Sequence, residues 1–140
     1  MNDSNDLRAG GAAGDPVDPA PGNPAPVDPA AGLRPRAIER LAAEGLDAAE
    51  WSSGPGELYL AHRHDYDKVL VCVEGRIDFW LREHARTARL EPGDRLEMPS
   101  NTLHEATAGR EGVRCLEAHL PPGTLPRRVL HRPGWALGSD

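Results

Sequence analysis

The sequence predicts an all-β domain, a small antiparallel barrel or sandwich, preceded by one short helix. From Leu46 onward the apolar residues recur with a period of two, the repeat of a half-buried strand. The strand-like runs are broken at short, nearly regular intervals by "SSGPG", "HDYD", "EG", "REHA", "EPGD", "PSN" and "AGREG", which is the punctuation of a meandering antiparallel sheet. The run "RIDFWLR" alternates most cleanly: Ile77, Phe79 and Leu81 fall on one face, and Arg76, Asp78 and Arg82 on the other.

Taken in order, residues 1–33 are dominated by Pro, Ala, Gly and Asp, and "PVDPA" occurs twice. Such a segment has little apolar area to offset its ordering entropy, so it is expected to be a disordered tail. Order is expected from Pro35, which suits a first helical turn. In "PRAIERLAAEG" the residues Ile38, Leu41 and Ala42 form the apolar stripe and Gly45 the stop. The run "KVLVCVE" is apolar on both faces and reads as a central strand covered on two sides. At 140 residues the chain has room for one core. The expected organisation is a tail at 1–33, a domain at 34–120 and a Pro-rich C-terminal extension at 121–140.

Charge and composition exclude several functions. The formal net charge is −6, of which the first 33 residues carry −4, with five aspartates against Arg8. No basic stripe interleaved with aromatics is present, so nucleic acid is not an expected partner. No apolar run approaches the length of a membrane span and no basic start precedes an apolar stretch, which leads to the expectation of a soluble cytoplasmic protein. Cys72 and Cys115 lie in apolar strand-like runs without metal spacing and are expected to be buried free thiols.

The histidines carry the chemistry. His62 and His64, at i and i+2, leave a strand on the same face, where two imidazoles can meet one ion. HxH alone is a weak signal, and by itself it favours two solvated histidines on a polar edge. His84 in "REHA" and His131 in "HRPGW" are expected at the surface. In "CLEAHL", if Cys115 points inward then Glu117 and His119 share its face and can line the cavity, whereas the parity that buries Leu116 and Ala118 turns Glu117 and His119 away from it. The second parity is the preferred one because it buries no charge.

Around these histidines the spacing resembles that of the cupin superfamily. The first cupin motif reads G, five residues, HxH, three or four residues, E, six residues, G. Gly56, His62, His64 and Gly75 occupy its positions, with Lys68 in the Glu slot. The second reads G, five residues, P, x, G, two residues, H, three residues, N. Gly93, Pro99 and His104 match it, with Asn101 in the second Gly slot and Ala108 in the Asn slot. Asn tolerates the left-handed backbone that a Gly would otherwise supply.

The resemblance implies a small double-stranded β-helix, or jelly roll, with His62, His64 and His104 converging on a divalent transition metal: Fe, Mn, Ni, Cu or Zn. It also implies a small-molecule ligand, and it admits an oxygenase, an isomerase or a non-catalytic binding module without metal.

Lys68, the only lysine in the chain, departs from the pattern. An ammonium beside a dication is repelled, so its head is expected to lose its proton, to turn toward Asp65, Asp67 or Glu105, or to pair with an anionic ligand in an acid-base or anion-binding role. Tyr59, Tyr66 and Glu105 complete the nearby acid-base groups. A homodimer is expected through an outer sheet face bearing Trp80 or the strand of Val69, Val71 and Val73, because one short helix looks too small to cover that strand.

Overall fold

The structure, a computed structural model, describes residues 32–138. The expected disordered tail therefore lies outside the described residues except at its last two positions. One helix, α1 (Leu33–Ala43), precedes seven strands: β1 (Ala49–Ser53), β2 (Leu58–His62), β3 (Asp67–Leu81), β4 (Arg86–Leu90), β5 (Arg95–Met98), β6 (His104–Leu120) and β7 (Leu130–Arg132). They form one antiparallel sheet in the order β1-β6-β3-β5-β7, with β2 paired to β6 and β4 paired to β3. This is the expected small jelly roll.

Two of the expected turns are bends within long strands. "EG" lies inside β3 and "AGREG" inside β6, and the β3–β6 register shifts between Cys72 and Glu74 and again between Gly75 and Ile77. The glycines explain why the chain bends here without breaking. Gly75 has φ 76°, and a Cβ on it would stand 2.1 Å from the Gly112 carbonyl oxygen. A bulge of this kind turns a strand around a barrel corner while its pairing continues on either side.

Ile77, Phe79 and Leu81 are buried as the alternation predicts, inside the barrel with Leu70, Cys72, Leu90, Leu96, Met98 and Ala106. A second cluster covers the outer face of β3. There Val69, Val71 and Leu116 pack against Leu33, Ala37 and Leu41 of α1 and against Ala136 near the C-terminus. The buried face of α1 is thus Leu33, Ala37 and Leu41 at four-residue spacing, and Ile38 and Ala42, expected on that stripe, are exposed, Ile38 to 39%. The second cover that β3 requires comes from the same chain, so Val69 and Val71 are closed to a partner. Trp80 stays 37% exposed on another part of the sheet.

The C-terminal segment is fastened by charge as well as by Ala136. β7 pairs with β5. Arg95, buried, makes a two-pronged pair with Glu44 and a further bond to Glu97, and its guanidinium lies over the Trp135 ring. Asp67, wholly buried, accepts hydrogen bonds from the backbone N–H groups of Ser100 and Leu125, both at 2.7 Å. Burial pushes its carboxyl up, and the N–H donors of Leu125, Ser100, Gly123 and Thr124 more than reverse that push, leaving it below its ordinary value.

Candidate metal centre

His62 closes β2 and His104 opens β6, and the two are directly opposed in the β2–β6 ladder. His64 follows in the turn into β3. One turn fixes the approach of His104: Asn101 takes φ 67°, the left-handed conformation expected of it, and its N–H donates to the His64 carbonyl at 2.7 Å. The loop carrying His104 is thereby tied to the loop carrying His64.

One ligand nitrogen from each of His62, His64 and His104 falls within 4.8 Å of the others. Nε2 of His62 and Nε2 of His64 are 3.0 Å apart, the separation of neighbouring donors on a common ion at bonds of ~2.1 Å. The backbone sets the tautomers. His62 Nδ1–H donates to the Leu60 carbonyl at 2.6 Å and His104 Nδ1–H to the Thr102 carbonyl at 2.8 Å, which puts the lone pair of each ring on Nε2. Burial first, then the charges of Lys68 and His62, hold His64 and His104 down to about 4. Both rings are neutral at neutral pH, as metal ligands must be. The donor set fits a divalent transition metal.

The three rings line a cavity of about 330 Å³ together with Trp51, Tyr59, Lys68, Ile77, Phe79, Ala106 and Glu117. Lys68 is only 6% exposed. Of its expected carboxylate partners, Asp67 is engaged with the backbone, as above, Glu105 pairs with Arg82 at 3.5 Å, and Asp65 is exposed at the surface. The charge opposite Lys68 is Glu117. Burial lowers the Lys68 pKa from its ordinary value, and Glu117 opposes the shift.

The placement of Glu117 corrects the preferred parity of "CLEAHL". Leu116 and Ala118 are buried, yet Cys115 and Glu117 face the barrel interior, because β6 is covered on both sides. Glu117 accepts from Trp51 Nε1–H at 2.8 Å and from His119 Nε2–H at 2.6 Å. The His119 ring stacks on Tyr66 at 4.0 Å, and Tyr66 on His64 at 4.8 Å. Trp51 and Ala106 are the cavity residues that sequence reasoning missed, and Glu117 is the one for which it preferred the wrong parity. The available signal was the inward parity of Cys115, which places Glu117 on the same face. His84 is exposed as expected, whereas His131 is half-buried beside Asp94.

Residues 49–119 match the cupin domain model, and the chain belongs to that family. No match was found among curated proteins compared by sequence. Among solved structures, one described as of DMSP lyases is similar at 28% identity and a TM-score of 0.50, covering 61% of this chain and 43% of that one. A tryptophan-to-tyrosine mutant of salicylate 1,2-dioxygenase from Pseudoaminobacter salicylatoxidans matches at 22% identity and TM-score 0.47, over 51% of this chain and 21% of that one. A tryptophan-to-tyrosine mutant of oxalate decarboxylase from Bacillus subtilis matches at 20% and 0.45, over 64% and 24%. The chain spans less than half the length of each. Among the described residues, no helix is long and apolar enough to cross a membrane.

Proposed function

We propose that the protein is a cupin that holds one divalent transition metal through His62, His64 and His104 and acts on a small molecule in the cavity beside it, as an oxygenase or isomerase. The observation that carries this reading is the backbone-set tautomer of His62 and His104. Imidazoles on a solvated edge have no need of a carbonyl on Nδ1, whereas two rings fixed with Nε2 toward a common point are prepared as donors. A metal bound by His62, His64 and His104 would supply a Lewis acid.

The chain's own residues do the rest. Trp51, Ile77 and Phe79 exclude water from one side. Lys68 serves in acid-base chemistry or holds an anion. The reading places the protein in the cytoplasm as a homodimer, joined through the outer sheet face where Trp80, Leu58 and Leu60 are exposed.

A second reading is a binding module without metal, in which Lys68 does the recognition. The lyase described above keeps a third reaction class in view. Metal titration separates the first two: tag-free protein that takes up zinc, manganese or iron with micromolar or tighter affinity supports the enzyme reading, and protein that takes up none leaves the binding module.

A further inference from the structure

We infer that the cavity selects a small monocarboxylate with an apolar body, its carboxylate paired with Lys68. This deepens the reading above and rests on it only in taking the cavity as the substrate site. Lys68 lines the cavity and is 6% exposed, and among the described residues no hydrogen bond or ion pair reaches its Nζ. The enclosed side-chain polar atoms left without a partner among the described residues are Arg76 Nε and His131 Nε2. Lys68 Nζ therefore keeps its remaining surface toward the cavity, where an anion would stabilise an ammonium desolvated on its other sides. Among the described residues the only carboxylate on the cavity wall is that of Glu117, and each of its oxygens accepts a hydrogen bond, one from Trp51 and one from His119. Those two bonds hold it in place as a nearby negative charge, and since neither comes from Lys68 the amine is left for a ligand.

The ligand's charge and shape follow. One ammonium without a partner matches one carboxylate. In the metal-free cavity a phosphate dianion would meet the same single cation with Glu117 close by, and like charges there are repelled. Apart from the histidines, Lys68 and Glu117, the walls are Trp51, Tyr59, Ile77, Phe79 and Ala106. These suit an aliphatic or aromatic body that spans from the ammonium toward the three imidazoles.

Because Lys68 is the only lysine, protein labelled with 13C-lysine gives one Cε signal that reports this site in the intact chain. We would titrate chelator-treated and zinc-loaded protein with acetate, pyruvate, benzoate, benzamide and inorganic phosphate, and repeat the calorimetry on Lys68→Met. In the chelator-treated protein at least one monocarboxylate should move the Lys68 signal saturably, benzamide and phosphate should not, and Lys68→Met should weaken that carboxylate by ~10-fold or more. A Lys68 signal unmoved there by all three carboxylates, or moved by phosphate or benzamide as strongly, overturns the inference, as does equal carboxylate affinity in Lys68→Met. The metal reading fails separately: a carboxylate that titrates Lys68 in protein unable to bind zinc keeps this inference and removes that one.

Discussion

His62 stands directly opposite His104 in the β2–β6 ladder, with ring centres 4.4 Å apart. Two residues separated by 42 positions become neighbours through strand register, and only the third ring, His64, is placed by local sequence. The site is therefore a property of the folded sheet, and its ligands differ from the remaining histidines in a testable way. His62→Ala and His104→Ala should each lower zinc or cobalt affinity by ~10-fold or more, while His84→Ala leaves it unchanged. Isothermal titration of the three variants checks this. Equal affinities would dissolve the distinction.

Lys68 tests the electrostatics. Lys68→Glu removes a cation and supplies the carboxylate that cupins commonly have at this position, so divalent metal affinity should rise by ~10-fold or more, worth about 1.4 kcal/mol. Lys68→Met removes only the repulsion and should gain less. Cobalt titrations followed by absorbance rank the three proteins, and a Met variant that binds as well as the Glu variant would show that the carboxylate is not used.

Stability should depend on pH in a definite direction. His64 and His104 lie at about 4 in the folded chain against an ordinary value of 6.5. Between those values the unfolded chain takes up protons that the folded chain refuses, so stability is full above pH 6.5 and falls as pH drops toward 4. Asp67, also held below its ordinary value, extends the loss to lower pH. Urea unfolding of chelator-treated protein at pH 7.5 and pH 5 measures the effect, and equal midpoints would contradict it.

Gly75→Ala should be severe. The new methyl would meet the Gly112 carbonyl at 2.1 Å and hold a left-handed backbone at φ 76°. Strain and collision together should cost roughly 3 kcal/mol or more, read as a lowered thermal midpoint. Gly45→Ala has the same handedness, φ 80°, but no neighbour within 4 Å, so it should cost only about 1 kcal/mol. Comparable losses would place the requirement at Gly75 in the dihedral alone.

Cys72 and Cys115 face each other across β3 and β6, and both are fully buried. The Cys115 thiol is pushed well up, by hydrogen bonding to Cys72 and by burial. Neither should react with a disulfide reagent in the native state, and both should react once the chain is unfolded. Rapid native labelling would contradict the burial.

What was legible in the sequence is local. The spacing of Gly56, His62, His64, Gly75, Gly93, Pro99 and His104 is set by turns and by strand parity, and Asn101 adopted the left-handed backbone expected of it. What was not legible depends on cover. Glu117 faces inward because α1 and the C-terminal segment bury the other side of β6, and no window around Glu117 contains those residues. The stripe of α1 shifted from Ile38 to Leu33 and Ala37 for the same reason, since the docking surface on β3 selects the face. "EG" and "AGREG" read as turns because glycines with positive φ end strands as readily as they bend them.

The central claim is that His62, His64 and His104 form one divalent metal site, and elemental analysis of tag-free protein tests it most directly. The account predicts about one transition-metal ion per chain, lost in a His62→Ala/His104→Ala double variant that remains folded by circular dichroism. Background metal in the wild-type protein, with no uptake of zinc, manganese, iron or cobalt on titration at neutral pH, would contradict it.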